Sequence, residues 1–510
     1  MVRSVSFGQL YFEGLHLVFR PEVLLLMAAG VFVGISIGAM PGLTVIMAVA
    51  VLTPLTYGLP PVAAILTLIA IYCGGNYGGS ISACLVNVPG TPSAIMTTLD
   101  GYPLSQKGKA GLAIGTATIA SFLGGFASVI VLSLLAPVVA RFALNFVSAE
   151  YFALGILGIS LIAYLSRGSN VKGLLSGLIG LLIATIGADP IMGYPRFTFG
   201  SGDLITGVGF ITAMIGLLGV AEVLVQAESG GTMDRLKQSL KDILPPARSI
   251  LKLAPTIVRS SFVGVVIGAV PGAGGTIASI VAYGQQKRIS KKPEELGTGS
   301  LEGIAAAEAA NNACTGGAML TMMSLGIPGD AVTGIMIGAL MIHGLRPGPI
   351  LFKENFDLVS AIFIGMFIAN VFVLSFGLGG AKLFARLISV PKRYLNAAIL
   401  SFAIIGSYAV QSSFFDVGAT VVFGLLGYGM VKFGVPRAPL VLALILGPLI
   451  EDNLRRSLLL VRGDVGAFLT TLITRPISAT ILLILVFLFA YPSAKRFVQS
   501  LRHGTKTHSD

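Results

Sequence analysis

The sequence predicts an all-α polytopic membrane protein with about 12 transmembrane helices in two inverted repeats, interrupted by re-entrant or broken helices. Three observations predict it. Apolar residues make up 55% of the 510 and charged residues only 11%, far from the mix of a soluble domain. No Asp, Glu, Lys, Arg or His falls between residues 23 and 99, several times the roughly 20 residues that one spanning helix needs. Glycine and proline motifs of the first half recur, in the same order, in the second.

Taken in order, apolar stretches of helical length lie at residues 23–39, 61–71, 112–136, 147–165, 171–186, 204–224 and 257–269. Others lie at 304–325, 358–378, 395–410, 417–431, 438–450 and 468–490. The charged residues before the first of these, Arg3, Glu13, His16 and Arg20, do not frame a cleavable signal, so the first segment is expected to act as its own insertion signal. The longest polar interruption carries Arg235, Lys237, Lys241, Arg248 and Lys252. Basic loops stay on the cytoplasmic side. The division expected is a first membrane repeat over 1–226, a cytoplasmic connecting loop over 227–252, a second repeat over 253–491 and a basic cytoplasmic tail over 492–510.

The net charge of +12 sits mainly between apolar segments, which the positive-inside rule explains better than nucleic-acid binding does. Cys73, Cys84 and Cys314 have no metal-ligand spacing and read as free thiols. With no tryptophan in the chain, interfacial anchoring would fall to tyrosines such as Tyr394 and Tyr491.

The stretch from Tyr77 to Pro92 is apolar, yet it contains Gly78-Gly79, Pro89-Gly90 and Thr91-Pro92. It reads as a broken element, and within a bilayer such a break is tolerated only in protein or against a wet cavity. Its partner is Gly316-Gly317 followed by Pro328-Gly329. Likewise Gly34-x3-Gly38-Ala39-x-Pro41-Gly42 recurs as Gly264-x3-Gly268-Ala269-x-Pro271-Gly272. The turn after the first copy, Tyr57 to Pro61, is uncharged, whereas the second is followed by Lys287, Arg288, Lys291 and Lys292. Equivalent turns are therefore expected on opposite sides. The apolar arms flanking Pro271-Gly272 are too short to span, which favours a re-entrant hairpin or a broken helix.

A half-helix ending inside the membrane offers N–H groups at its N-terminus for a carboxylate and carbonyls at its C-terminus for a cation. The candidate substrate residues are Ser80, Ser82, Asn87, Pro89, Gly90, Thr91, Asn312, Gly326, Pro328 and Gly329. For a coupling ion they are Gly42, Gly272, Glu308, Asn311 and Asp330, with Na+ or H+ as the ion and no other cofactor. The glycine pairs equally suit close helix packing, and the Asn and Ser side chains equally suit interhelical hydrogen bonding. Asp189 to Gly200 and Glu451 to Ser457 are polar breaks, read first as an ion-pair network and second as an anion site built on Arg455 and Arg456.

No zinc-protease or phosphate-loop motif is present, and His16, His343, His503 and His508 are scattered. A membrane enzyme could only be drawn from Asp330 and Asp416, whose spacing supports no pairing. Ion-gradient transport is the economical reading, with a self-sufficient carboxylate carrier as the rival within that class.

The chain resembles the large membrane subunit of tripartite tricarboxylate transporters, the TctA family. The resemblance covers nearly the whole length. It rests on Gly38-Ala39-Met40-Pro41-Gly42-Leu43, Tyr77 to Ser82, Asn87-Val88-Pro89-Gly90-Thr91-Pro92, Asp100-Gly101-Tyr102-Pro103-Leu104 and Arg196-Phe197-Thr198-Phe199-Gly200. It continues through Pro271 to Gly275, Glu302-Gly303, Glu308 to Asn312, Gly326-Ile327-Pro328-Gly329, His343-Gly344-Leu345-x-Pro347-Gly348-Pro349 and Asn453-Leu454-Arg455-Arg456-Ser457. The resemblance implies an ion-coupled importer of di- or tricarboxylates in the bacterial inner membrane. Its implied partners are a small four-helix membrane subunit and a periplasmic solute-binding protein. One departure stands out: where members of the family usually carry a serine after Ile327-Pro328-Gly329, this chain has Asp330. A carboxylate there would repel an anionic substrate unless it binds the coupling cation or is protonated.

Overall fold

The computed structural model describes residues 9–165, 169–229, 240, 242–388 and 390–487. The expected basic tail, Tyr491 and residues 230–239 and 241 of the connecting loop lie outside the described residues. The first half contains α1 (Gln9–Val18), α2 (Pro21–Ala39), α3 (Val45–Leu52), α4 (Pro61–Val86) and α5 (Ile95–Leu104). It continues with α6 (Ala110–Ala143), α7 (Ser148–Leu165), α8 (Asn170–Ala184), α9 (Phe210–Met214) and α10 (Ala221–Ser229). Between α8 and α9, β1 (Gly187–Ala188) pairs antiparallel with β2 (Pro195–Arg196).

The second half opens with α11 (Ala247–Gly268), α12 (Gly274–Ile289), α13 (Leu301–Leu325), α14 (Ala331–Ile342), α15 (Pro349–Glu354) and α16 (Phe356–Gly379). It closes with α17 (Ala381–Leu387), α18 (Lys392–Gln411), α19 (Phe414–Lys432), α20 (Ala438–Leu460) and α21 (Val465–Thr474). Among the described residues 8 helices are long and apolar enough to cross a membrane, or 9 if α20 and α21, bent by 107°, form one span. The count of about 12 read from the sequence also took in apolar stretches that fold as shorter helices, among them α8.

Glycine decides how the helices approach. A Cβ built on Gly34 would lie 2.4 Å from the Ile71 carbonyl oxygen, and one on Gly38 would lie 2.3 Å from that of Gly75. The same holds in the second half for Gly264 against Ala310, at 2.4 Å, and Gly268 against Cys314, at 2.3 Å. These contacts ascend both helices together, so α2 runs parallel to α4 and α11 runs parallel to α13. After α2 the chain must therefore return to the end where it began, and α3 carries it back; α12 does the same after α11. Both pairs are helical hairpins with left-handed glycines at their tips, Gly42 (φ 93°) and Gly272 (φ 80°), a conformation glycine adopts at no steric cost.

The Gly78-Gly79 pair does not break α4, contrary to expectation, and neither does Gly316-Gly317 break α13. Tertiary packing overrides their low helix propensity. The bare backbone of Gly78 lets Ile35 approach, that of Gly79 lets Thr91 approach, and that of Gly317 lets Val265 approach. The break comes later in each helix. Asn87 (φ 57°) ends α4 and Gly326 (φ 73°) ends α13, both left-handed, and a proline follows two residues on. The Glu451 to Ser457 segment is likewise no break: it lies inside α20, which continues past Pro448.

The directions of the long helices follow from their contacts. Gly124 and Gly316 place α6 parallel to α13. Gly365 against Leu66 and Gly377 against Tyr77 place α16 parallel to α4, while Gly125 against Asn370 and Gly377 against Thr118 place α6 and α16 antiparallel. Consequently α4 and α13 run in opposite directions. Buried Asp100, in the middle of α5, ties the start of α13 to the first half: its Oδ1 accepts from the backbone N–H groups of Gly297 (2.8 Å), Gly299 (2.9 Å) and Ser300 (2.7 Å), and its Oδ2 accepts from the Tyr283 hydroxyl (2.8 Å). Lys107 donates to the Thr298 carbonyl at the same end (2.7 Å).

Candidate functional site

Each half contributes two helix starts that follow a break. Thr44 caps α3, its hydroxyl accepting from the Met47 N–H at 3.1 Å. Thr91 is the extended residue before the turn that leads into α5, and its hydroxyl lies 3.0 Å from that of Ser93. Gly272 and Gly274, both left-handed, lead into α12. Asp330 caps α14 in a reciprocal box, accepting from the Thr333 N–H at 2.8 Å while its own N–H donates to the Thr333 hydroxyl at 3.0 Å.

These four starts converge. A cavity of about 200 Å³ is lined by Thr44, Val45 and Ile46 from the first, Thr91, Pro92 and Ser93 from the second, Gly272 and Gly274 to Thr276 from the third, and Asp330 to Val332 from the fourth. Asn76 of α4, with Ala438 and Leu442 of α20, completes the wall. Helix N-termini carry partial positive charge and N–H groups without intrahelical partners, of which the caps Thr44 and Asp330 take one each at α3 and α14. Their convergence can hold an anionic group without a formal cation. Asp330 is the exception in this wall, a half-buried acid whose Oδ2 accepts from the Tyr72 hydroxyl.

Of the residues singled out from the sequence, Thr91, Gly272 and Asp330 line this cavity. Asn311 stands one layer behind: its amide nitrogen donates to the Asn76 carbonyl at 3.0 Å, while its buried Oδ1 has no hydrogen-bond partner and faces Gly275, where a Cβ would come within 2.5 Å. Both amide atoms of Asn312 are also buried without a partner. Glu308, fully buried, accepts from the Thr97 hydroxyl and, at 2.9 Å, from that of Ser121.

The remaining candidates sit elsewhere. The Ser80 and Ser82 hydroxyls donate to the Tyr77 and Gly79 carbonyls of their own helix. Asn87 is exposed and Gly326 buried, and each serves as a left-handed helix end. Pro89, Gly90, Pro328 and Gly329 shape the turns back into the fold: Gly90 packs on the Gly38 carbonyl, Gly329 on that of Gly268, and the Gly329 carbonyl accepts from the Gly272 N–H at 2.7 Å. The Gly42 carbonyl accepts from the Gln226 amide at 2.5 Å. Sequence reading missed Tyr72, Thr44, Asn76, Ser93 and Thr276. The available signal was positional, since the residues just after a break begin the next helix and carry its free N–H groups.

At the far end of α13 the polar segments meet as the ion-pair network read from the sequence. Arg196 forks onto both oxygens of Glu451, Arg455 reaches Asp189 at 2.6 Å and Glu451 at 3.0 Å, and Arg196 lies 3.6 Å from Asp189. The N–H groups of Met192 and Ile191, with Arg455 and Arg196, hold the Asp189 carboxyl below its ordinary range. Cys73, Cys84 and Cys314 are buried free thiols. Among the described residues no cluster of His, Cys, Asp or Glu suits a metal ion.

A multi-pass helical protein whose two halves insert hairpins toward one small polar cavity has the architecture of a membrane transport protein. The chain belongs to the tripartite tricarboxylate transporter TctA family, whose model matches residues 24–442. It is 36% identical over 411 residues to an uncharacterized 52.8 kDa protein in the TAR-I ttuC' 3' region of Agrobacterium vitis, covering 81% of each chain. It is also 37% identical over 235 residues to an uncharacterized protein in the TAR-II ttuC' 3' region of the same organism, covering 46% of this chain and 96% of the relative. No solved structure matches. Membership makes the chain a membrane subunit of a tricarboxylate transporter family rather than a member of an enzyme family.

Proposed function

We propose that this chain is the translocating subunit of an ion-coupled symporter that imports a di- or tricarboxylate across the bacterial inner membrane. It receives the substrate from a periplasmic solute-binding protein and works beside a small four-helix membrane subunit. The observation that carries the reading is the cavity of about 200 Å³ ringed by four half-helix N-termini, two from each half. Support for two inverted repeats comes from equivalent elements in the two halves. The hairpins α2–α3 and α11–α12 correspond, Asn87 corresponds to Gly326, and the corresponding helices α4 and α13 run in opposite directions. Each half thereby delivers helix starts from its own side of the membrane to the midplane.

In this reading the Thr91 and Ser93 hydroxyls and the N–H groups of Gly274 to Thr276 hold the substrate carboxylates. Asp330, or the unpartnered oxygens of Asn311 and Asn312, take the coupling H+ or Na+. The end bearing Lys107, Lys287, Arg288, Lys291 and Lys292 faces the cytoplasm, and the Arg196–Glu451 end faces the periplasm. The test is uptake of radiolabelled citrate and other di- and tricarboxylates by membrane vesicles containing this chain, its small subunit and the binding protein. Thr91→Val should lower uptake at least about tenfold, the value of one lost hydrogen bond to a charged group, with insertion unchanged. Full uptake by that variant would overturn the placement of the site.

A further inference from the structure

Two motifs remain without a role in this scheme, the segment from His343 to Pro349 and the Arg455-Arg456 pair. They meet. A second cavity, of about 1200 Å³, opens at the Arg196–Glu451 end and is lined by Arg346 from the first motif and Arg456 from the second. Its wall also carries Arg196, Glu451 and Asp452. Arg196 and Glu451 neutralise one another, and Arg455 spends its charge on Asp189 and Glu451. Arg346 and Arg456 have no ion-pair partner among the described residues. The two neighbouring arginines of α20 are thus divided, one holding the β1–β2 segment to the helix and the other facing an open basin.

The two cavities share walls. Helix α14 lines the inner cavity with Asp330, Ala331 and Val332 and the outer one with Ile337, Gly338 and Met341, and α20 contributes Ala438 and Leu442 to the inner and Leu444 to Leu446 to the outer. One and a half to two turns of α14, about 10 Å, separate them. Between them the Phe210 ring lies so close to Gly338 that a Cβ there would come within 1.6 Å of its Cζ atom. Gly334 is similarly covered by Leu442 and Ile445.

We infer that the outer cavity is a second, receiving site for the carboxylate anion, in which Arg346 and Arg456 hold it above an apolar floor of Phe210, Leu442 and Ile445 before it reaches the inner cavity. Guanidinium groups suit this task because they stay charged and bind carboxylates through paired donors. Holding the anion outside a dry floor also separates capture from the ion-dependent step at Asp330. The inference rests on the reading of the cargo as a carboxylate.

The test places a single reactive thiol in the basin, Met341→Cys, in the full-length chain in membranes, with the three native thiols buried. Its labelling rates are compared for a negatively charged and a positively charged methanethiosulfonate reagent. Replacing Arg346 and Arg456 with Gln should lower the anionic-to-cationic rate ratio about tenfold, as expected for two nearby charges in a wet cavity. Replacing both with Lys should leave the ratio high. Citrate or succinate should slow the anionic reagent only while the arginines are present. An unchanged ratio in the Gln variant, or no protection by either carboxylate, overturns the receiving site. Uptake measured in parallel separates that result from failure of the transport reading, which predicts no uptake by any form of the chain.

Discussion

Asp330→Asn is the substitution that probes the site most sharply. Asparagine has nearly the same volume and is as good a helix N-cap, so α14 keeps its Thr333 bond, and the Tyr72 hydroxyl can turn to accept from the new amide. The charge alone is removed. A cavity of about 200 Å³ has an equivalent radius of about 3.6 Å, which puts a bound carboxylate about 5 Å from that of Asp330; at an effective dielectric of about 20 the repulsion is about 3 kcal/mol, or about a hundredfold in affinity. If Asp330 is the coupling group, wild-type protein should bind substrate well only when a proton or Na+ neutralises it. The Asn variant should bind up to about a hundredfold tighter without the ion, and it should exchange labelled for unlabelled substrate across proteoliposomes. It should fail to concentrate substrate when an ion gradient is imposed. Concentrative uptake by Asp330→Asn with the ion dependence of wild type would refute the assignment of Asp330 as the coupling group.

The packing account predicts that Gly38→Ala and Gly268→Ala each lose about 1–3 kcal/mol, because the added Cβ meets backbone carbonyl oxygens 2.3 Å away; thermal melts followed by size-exclusion chromatography measure this. Asp100→Ala strips the shared acceptor from three backbone N–H groups and the Tyr283 hydroxyl, and should cost about 3–5 kcal/mol and lower expression of folded protein. The network at Asp189 has a definite sign with pH. Its folded pKa is depressed, so its contribution is fully present above the unfolded value of about 3.9 and is lost as pH falls through the lower folded value. Protease cleavage between β1 and β2 should stay slow from about pH 8 to 5 and rise only below about pH 4, and acceleration already at pH 6 would contradict the ion-pair geometry.

Much of this arrangement is written in residue order. Pro41-Gly42 and Pro271-Gly272 mark hairpin tips because a proline removes a helical N–H and the glycine after it takes a left-handed turn. The polar segments around Asp189 and Glu451 announced an ion-pair network, since opposite charges placed in apolar surroundings find one another. What sequence could not separate was glycine used to end a helix from glycine used to admit a neighbour. Gly78-Gly79 looks like a breaker and is a contact surface for Ile35 and Thr91. Asn87 invited a ligand role, yet its left-handed backbone at an exposed helix end explains the residue without one. Thr44 and Thr276 carry no unusual chemistry, and only the fold brings their helix starts to the cavity that Thr91 and Asp330 share.

The proposed carboxylate site lies where the starts of α3, α5, α12 and α14 meet. A structure of the full-length chain determined with a carboxylate that it transports tests this directly. Density for the anion is expected between Thr91, Ser93, Gly275 and Asp330, with backbone N–H groups from both halves within about 3 Å of its oxygens. An anion held only by side chains of one half, away from all four helix starts, would contradict it.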